Sequence, residues 1–228
     1  MTDRPADHES YRSPDLDRAT IEKAYSGWAP VYDFLCGPIF RHGRKAAVAA
    51  ACKVGGRALE IGVGTGLSFP DYEAGHTNVV GIDLSAAMLA KAEARRGSGR
   101  HRRVESLHLM DAHRLAFGDA AFDVAVCQFV ITLVESPEQV LSECARVVRP
   151  GGEILVLSHL YSETGFAAAL ERWFAKRTSA IGLRPEFPFA RLKAWADTTG
   201  AATLVERRPV RPFYTLVRFR VGESAPTS

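Results

Sequence analysis

The chain has 228 residues, of which 46% are hydrophobic and 24% charged, a composition typical of one soluble globular domain. Its formal net charge of +3 is too small to indicate nucleic-acid binding, but it is compatible with attachment to an anionic membrane surface. No run of 18 apolar residues and no secretory signal is present, so the sequence predicts neither a membrane-spanning helix nor export.

The four cysteines, Cys36, Cys52, Cys127 and Cys144, are scattered along the chain. They form no Cys-x-x-Cys or Cys/His pattern with zinc-ligand spacing, so we predict no metal site. Each lies among apolar residues, which predicts buried, reduced thiols. Reduced thiols favour the cytosol as the compartment.

Both ends of the chain are polar. Residues 1–15 predict a flexible tail, and residues 223–228 predict a second polar tail. Between them we expect a single domain over residues 16–222. Its first part, residues 16–54, has apolar side chains at a period near 3.6 and predicts an N-terminal helical cap.

A basic stretch lies inside this cap. Residues 34–40 are mostly apolar, and Arg41, His42, Arg44 and Lys45 follow them. An aromatic and basic segment is typical of a membrane interface, where the basic side chains meet lipid phosphates. An ordinary amphipathic helix with a solvated basic face fits the same pattern.

A glycine-rich bend follows the first predicted strand. Residues 58–61 predict a buried strand, and Gly62, Gly64 and Gly66 come directly after it. Backbone without side chains can turn sharply and lets a ligand approach closely. A new segment begins at Leu67, and we expect its early N–H groups to face the same cleft.

An acidic residue ends the second predicted strand. Residues 78–83 form this strand, and Asp83 lies roughly 20 residues after the glycines, where nucleotide-binding α/β folds place a ribose ligand. The dinucleotide fingerprint Gly-x-Gly-x-x-Gly fails because residue 67 is Leu. A dinucleotide-dependent reductase is therefore disfavoured.

The rest of the chain alternates between predicted strands and helices. This alternation predicts an α/β, Rossmann-like, doubly wound fold with a seven-stranded sheet that is mostly parallel and has an antiparallel C-terminal strand. We expect a helical lid, formed by the N-terminal cap and by a helix inserted after strand five. A helix docked on the sheet with solvated charges fits this second segment equally well. The predicted helices follow Ser85 and Ser136 and include 166–177 and 192–199; the predicted strands cover 104–110, 122–131, 153–158, 203–207 and 213–220.

The glycine bend and the second strand carry a family resemblance. The pattern Glu60-x-Gly62-x-Gly64-x-Gly66, with Gly-Ile-Asp-Leu-Ser at 81–85, resembles the class I S-adenosylmethionine-dependent methyltransferases. A plain strand–turn–helix, in which the glycines only permit the turn, is the alternative. The presence of Asp83 at the expected spacing favours the methyltransferase interpretation.

A second motif supports the same family. Leu141, Glu143 and Arg146, followed by Pro-Gly-Gly at 150–152, resemble the helix and turn that precede strand five in these enzymes. Within the family, the sequences Trp-Ala-Pro-Val-Tyr-Asp at 28–33 and Gly-Val-Gly-Thr-Gly-Leu at 62–67, together with His159 at the end of strand five, are most similar to bacterial phosphatidylethanolamine N-methyltransferases.

The resemblance implies S-adenosylmethionine as the cofactor and a set of residues that bind it. It places the glycine loop under the methionyl part, Asp83 on both ribose hydroxyls, Leu84 and Met88 beside the adenine, Asp111 on the adenine amino group and the Ala112 N–H on a ring nitrogen. The alternatives are that Met88 only packs in the core and that Asp111 caps a helix or a turn. The complete predicted cofactor-binding set is Glu60, Gly62, Gly64, Thr65, Gly66, Asp83, Leu84, Met88, Asp111, Ala112 and Gln128, the last because it ends the fourth strand at the ligand edge.

The resemblance also implies the reaction. Tyr25 and Tyr32 belong to an element that folds over the cofactor, and His159 is a candidate proton acceptor. Tyr25 and Tyr32 could equally serve only to pack the N-terminal helix onto the core. The expected reaction is stepwise N-methylation of phosphatidylethanolamine to phosphatidylcholine by a cytoplasmic, monomeric protein bound peripherally to the anionic inner membrane.

Two other functions stay open at this point. One is methylation of a quinone carbon or of a small-molecule oxygen or nitrogen. The other is a non-catalytic subunit or sensor that binds the cofactor and has no methyl acceptor. The intact glycine loop and its two partner acids, Glu60 and Asp83, favour an enzyme.

Overall fold

A twisted sheet organises the part of the chain that the computed structural model describes, which is residues 40–158, 187–210 and 214–222. Within these ranges the sheet has seven strands. The strands are β1 (Arg57–Ile61), β2 (Asn78–Asp83), β3 (Val104–Leu109), β4 (Phe122–Gln128), β5 (Val148–Ser158), β6 (Ala202–Val210) and β7 (Tyr214–Val221), and the helices are α1 (40–54), α2 (Phe69–Ala74), α3 (Ala86–Arg96), α4 (Pro137–Val147) and α5 (Phe189–Thr199).

The strand order places a ligand cleft at the middle of the sheet. The order is β3-β2-β1-β4-β5-β7-β6, with the first five strands parallel and β7 antiparallel to both β5 and β6. From β1 the chain continues to β2 and β3 on one side and later to β4 and β5 on the other. Ligands bind at such a switch point, outside the carboxyl ends of the strands. The predicted doubly wound sheet is confirmed.

Helices cover both faces of the central strands. Strands β1 and β4 are almost entirely buried, as apolar strands at the centre of a parallel sheet require. On one face Ala47, Val48 and Ala51 of α1 pack against them, with the three- and four-residue spacing of a helix. On the other face α4 contributes its buried stripe, in which Val140 and Cys144 take part.

Several predicted boundaries are wrong. Strand β4 ends at Gln128 rather than at residue 131, and β6 extends to Val210 rather than to residue 207. Strand β5 begins at Val148 rather than at Glu153, because the Pro-Gly-Gly segment is a bulge inside the strand, where the β4–β5 register shifts. The segment predicted to begin at Leu67 becomes helical only at Phe69, where α2 starts, because the glycine loop continues through a tight turn in which the Gly66 N–H donates to the Val63 carbonyl.

Several predicted features lie outside the described residues. They are the two tails, the first part of the cap, Cys36 and the predicted helix at 166–177. The domain boundaries therefore stay a prediction. Inside the described ranges Cys127 and Cys144 are buried thiols, as expected, whereas Cys52 is half-buried. None of the helices that the structure describes combines the length and apolar composition needed to cross a bilayer.

The motif around Arg146 holds the connection before β4 against α4. The guanidinium donates to the carbonyl oxygens of Leu115 and Phe117, both at 2.8 Å, and to the Glu143 carboxylate at 2.8 and 2.9 Å. Glu143 in turn accepts from the Leu115 N–H at 2.7 Å, and these bonds hold the pKa of Glu143 below its usual value. The motif is therefore a structural clamp.

Replacing Arg146 with Met should lower the free energy of unfolding by about 2–3 kcal/mol, because several backbone and charged partners lose a donor. The matched control is Arg191→Met, which removes an exposed ion pair with Glu138 and should cost under about 1 kcal/mol. Urea unfolding of the two variants measures the difference. Equal losses of unfolding free energy in the two variants would contradict this structural role of Arg146.

Candidate active site

A cavity of about 300 Å³ opens where β1, β2 and β4 end. Its volume suits a small-molecule site. Of the predicted cofactor-binding set, all except Gly66 line it. The lining members are Glu60, Gly62, Gly64, Thr65, Asp83, Leu84, Met88, Asp111, Ala112 and Gln128.

Gly64 and Gly66 have different structural roles. A Cβ added to Gly64 would meet no atom within 4 Å, so this stretch of backbone lies open to the cavity. A Cβ added to Gly66 would lie 2.3 Å from a ring carbon of Phe69, so Gly66 serves the packing of the loop on α2. The Phe69 N–H donates to the Gly66 carbonyl. The expectation that the early N–H groups of this segment face the cleft is therefore wrong for Phe69.

Asp83 fixes the loop to the neighbouring strand. One carboxylate oxygen accepts from the Gly64 N–H at 2.8 Å, and the other accepts from the Ser85 N–H at 2.8 Å. Burial raises the pKa of Asp83, and these backbone hydrogen bonds oppose the shift. A carboxylate offers about four acceptor positions, so the group can still accept from ligand hydroxyls.

Glu60 is a buried acid beneath the same loop. Its side chain accepts from the Ser68 hydroxyl at 2.8 and 2.9 Å, and the residue is 3% exposed. Burial raises the pKa of Glu60 to about 7, while the Ser68 hydrogen bond and the Arg44 charge act in the opposite direction. The group is therefore ready to accept a cation, which would favour its ionised form.

Arg44 is a cavity residue that the sequence analysis assigned to a solvated or membrane-facing basic run. Among the residues that the structure describes, its buried Nε atom has no hydrogen-bond partner, and the Asp71 carboxylate lies 3.9 Å away. Burial lowers the pKa of Arg44. Helical spacing could have predicted that Arg44 faces inward, because it lies three and four residues before the buried Ala47 and Val48, on the same face of α1.

The adenine-side residues lie together at the ends of β2 and β3. Leu84 is 42% exposed although it lines the cavity, and Met88 is almost fully buried. Met88 therefore fits both the core and the ligand interpretations. Asp111 accepts from the His113 N–H at 3.0 Å, so it makes a local turn contact as well as lining the cavity. The sequence analysis did not identify His113.

Gln128 is the clearest sign that the cavity receives a polar ligand. The residue is 6% exposed, and both its amide oxygen and its amide nitrogen lie buried without a hydrogen-bond partner in the described part of the chain. Unpartnered buried amides are costly and rare. A ligand with both donors and acceptors would satisfy the amide, and the residues present therefore fit a nucleoside cofactor.

An aromatic cluster forms the wall beside Gln128. Phe40 and Phe129 line the cavity, with ring centroids 4.6 Å apart, and the Tyr214 ring lies 5.0 Å from that of Phe129. Phe129 has φ = 57°, an uncommon value for an aromatic residue. Its N–H donates to the Leu157 carbonyl at 2.7 Å, which holds the strained backbone in place.

Three predicted catalytic residues, Tyr25, Tyr32 and His159, lie outside the described residues. Their roles stay predictions. Within the described ranges, no group of three or more His, Cys, Asp or Glu side chains is arranged to hold a metal ion.

Comparison with known proteins identifies the family. The methyltransferase domain family matches residues 59–156. The phosphatidylethanolamine N-methyltransferase of Cereibacter sphaeroides is 37% identical over 207 residues, which cover 90% of this chain and 99% of that protein. The chain belongs to the class I S-adenosylmethionine-dependent methyltransferases. Its cofactor is therefore S-adenosylmethionine, as the sequence predicted.

Two further comparisons support the family and the fold of the methyltransferase. The demethylmenaquinone methyltransferase of Mycobacterium tuberculosis strain H37Rv is 28% identical over 207 residues, which cover 85% of each chain. The crystal structure of an S-adenosylmethionine-dependent methyltransferase from Aquifex aeolicus superposes with a TM-score of 0.60 at 14% identity, over 78% of this chain and 89% of that one.

The buried Glu60 should make the cofactor-free methyltransferase less stable as the pH rises. Its pKa is about 7 in the folded protein against an ordinary 4.5, so the folded state binds the proton more tightly. The resulting stabilisation, about 3 kcal/mol, is complete below pH 4.5 and is lost as the pH rises through 7. We expect the free energy of unfolding of the wild type to fall between pH 5 and 8, and the Glu60→Gln variant to lack this fall.

Glu105→Gln is the control, because it removes a partly exposed carboxylate from the edge strand β3. It should keep the wild-type dependence on pH. A Glu60→Gln variant with that same dependence would show that the buried carboxyl is not the titrating group.

Proposed function

We propose that this methyltransferase methylates the amine of phosphatidylethanolamine and of its mono- and dimethyl forms, giving phosphatidylcholine at a membrane surface. The observation that carries the proposal is the similarity to the Cereibacter sphaeroides enzyme, which is 37% identical and extends over 99% of that protein. The similarity therefore includes regions outside the cofactor-binding core, and those regions select the methyl acceptor.

Different cavity residues would contact different parts of the cofactor. Glu60 and Arg44 both line the cavity, and their ionised forms would complement the ammonium and carboxylate of a methionyl group. Asp83 accepts from the ribose hydroxyls. Leu84 and Met88 flank the adenine. Asp111, Ala112 and Gln128 supply polar contacts. When bound, S-adenosylmethionine supplies a methyl group activated on a sulfonium.

The aromatic wall of Phe40 and Phe129 suits the acceptor. The amine attacks only in its neutral form, and each product carries a methylated nitrogen that becomes cationic. An aromatic face near a cation is favourable by roughly 0.5–2 kcal/mol. Tyr25 and Tyr32 would help to close the site, and His159 would accept the proton that the amine loses.

Exposed basic residues lie next to this wall on α1. Arg41, His42 and Lys45 are exposed, while Phe40 and Arg44 of the same helix line the cavity. Positive charge near the cavity mouth would attract an anionic leaflet and bring the mouth to its lipid substrate. This arrangement supports peripheral binding to the cytoplasmic face of the inner membrane.

The competing acceptor is a quinone ring carbon. It is favoured by the demethylmenaquinone methyltransferases, whose similarity extends over 85% of this chain at 28% identity. A quinone is neutral and lacks an amine, so it would make no use of a wall suited to a methylated ammonium.

A competition assay separates the two acceptors. The protein is incubated with methyl-labelled S-adenosylmethionine and vesicles that contain phosphatidylethanolamine, phosphatidylglycerol and demethylmenaquinone, and the lipids are then identified by chromatography and mass spectrometry. We expect label in the mono-, di- and trimethyl lipids and none in the quinone. Omitting the anionic lipid should slow the transfer.

Label in the quinone alone would overturn the proposal. Cofactor binding with no labelled lipid or quinone would favour the sensor interpretation. The matched control is Asp197→Asn, which changes an exposed carboxylate outside the cavity and should label the same products at the wild-type rate.

A further inference from the structure

We propose that His113 is the positioning residue that gives the purine subsite its preference for an adenine over a 6-oxopurine. The residue lies in the loop after β3, two positions after Asp111, and both line the cavity. The inference depends on the proposed contact between Asp111 and the cofactor base. It does not depend on which methyl acceptor the enzyme uses.

His113 holds one oxygen of Asp111 with two contacts. The imidazole Nδ1 lies 2.7 Å from Oδ1 of Asp111, and the His113 backbone N–H donates to the same oxygen at 3.0 Å. The Asp111 side chain is 35% exposed, so packing alone does not fix it. Two contacts on one oxygen restrict the carboxylate to one orientation.

The second ring nitrogen is fixed from another element. The Ser136 N–H donates to Nε2 of His113 at 3.4 Å. Ser136 is the N-cap of α4, and its own side chain makes no capping hydrogen bond. The amide of Gln139, in the first turn of that helix, donates to the His113 carbonyl at 3.0 Å.

These partners assign the tautomer of the ring. Because Nε2 accepts a hydrogen bond from a backbone N–H, the proton of the neutral imidazole lies on Nδ1, where it is donated to Asp111. The ring therefore joins the loop after β3 to the start of α4. The residues just before α4 also line the cavity; they are Leu133, Val134 and Glu135. His113 therefore links two walls of the cavity.

The held carboxylate explains how the base would be selected. An ionised carboxylate only accepts hydrogen bonds, so it suits the 6-amino group of adenine and is repelled by the 6-oxo group of hypoxanthine. A site built around a hydrogen bond rejects an analogue that cannot form it, provided that the site group cannot move away. Without the His113 ring, Oδ1 of Asp111 loses the shorter of these two contacts and keeps the His113 backbone N–H, so the carboxylate is held less firmly and accommodates the oxo group more readily.

Calorimetry with two product analogues tests the proposal without any methyl acceptor. S-adenosylhomocysteine and S-inosylhomocysteine are titrated into the wild type, into His113→Asn and into His113→Gln. The wild type should prefer the adenosyl compound by roughly 30-fold or more. Asn places its amide N–H where Nδ1 lies, so His113→Asn should keep most of this preference. Gln reaches only the Nε2 position, and its preference should fall below about fivefold.

Asp111→Asn shows how the protein behaves when the preference for the adenosyl compound is lost, because an amide can donate a hydrogen bond to the 6-oxo group. It should abolish or reverse the preference. Equal, wild-type-like preference in His113→Asn and His113→Gln would overturn the role of His113. Wild-type preference in Asp111→Asn would overturn the Asp111 contact, and the inference with it. Neither outcome bears on the lipid acceptor, which the labelling assay tests separately.

Discussion

The hydrogen bond between the Gly64 N–H and the Asp83 carboxylate is the contact on which the cofactor site depends. It joins the bend after β1 to the end of β2 at 2.8 Å, and a second bond from the Val63 N–H to the Ile82 carbonyl holds the same bend. Because the loop is fixed at two adjacent points, Gly64 keeps its bare backbone open to the cavity. The same carboxylate therefore shapes the site and can also contact the ligand.

The sequence predicted those parts of the site that depend on local order along the chain. The spacing of the glycines and of Asp83 reflects one strand–loop–strand unit, so it could be recognised without coordinates. His113 was missed because its role arises from packing between distant segments, whereas Arg44 was missed although helical spacing places it on the buried face of α1. Arg44 of α1 lines the cavity and lies 3.9 Å from the Asp71 carboxylate of α2, and His113 contacts the N-terminus of α4. No pattern within either segment indicates its partner.

Several groups in the cavity lower the stability of the cofactor-free enzyme. Glu60 is buried and costs stability when it ionises, the Gln128 amide has no hydrogen-bond partner in the described ranges, and Phe129 has a strained backbone. Such groups persist at functional sites because the surrounding core holds them in place. Here the buried strands β1 and β4 and the Arg146 clamp provide that support. Cofactor binding should then stabilise the fold as well as prepare it for methyl transfer.

The account is tested most directly by the affinity of Asp83→Asn for S-adenosylhomocysteine, measured by isothermal titration calorimetry beside Asp197→Asn, whose carboxylate is 60% exposed. Replacing one carboxylate oxygen of Asp83 with an amide removes an acceptor from the loop or from the ribose. The affinity should fall by about 30-fold or more, while the control stays at the wild-type value. A folded Asp83→Asn protein that binds as tightly as the wild type would contradict the account.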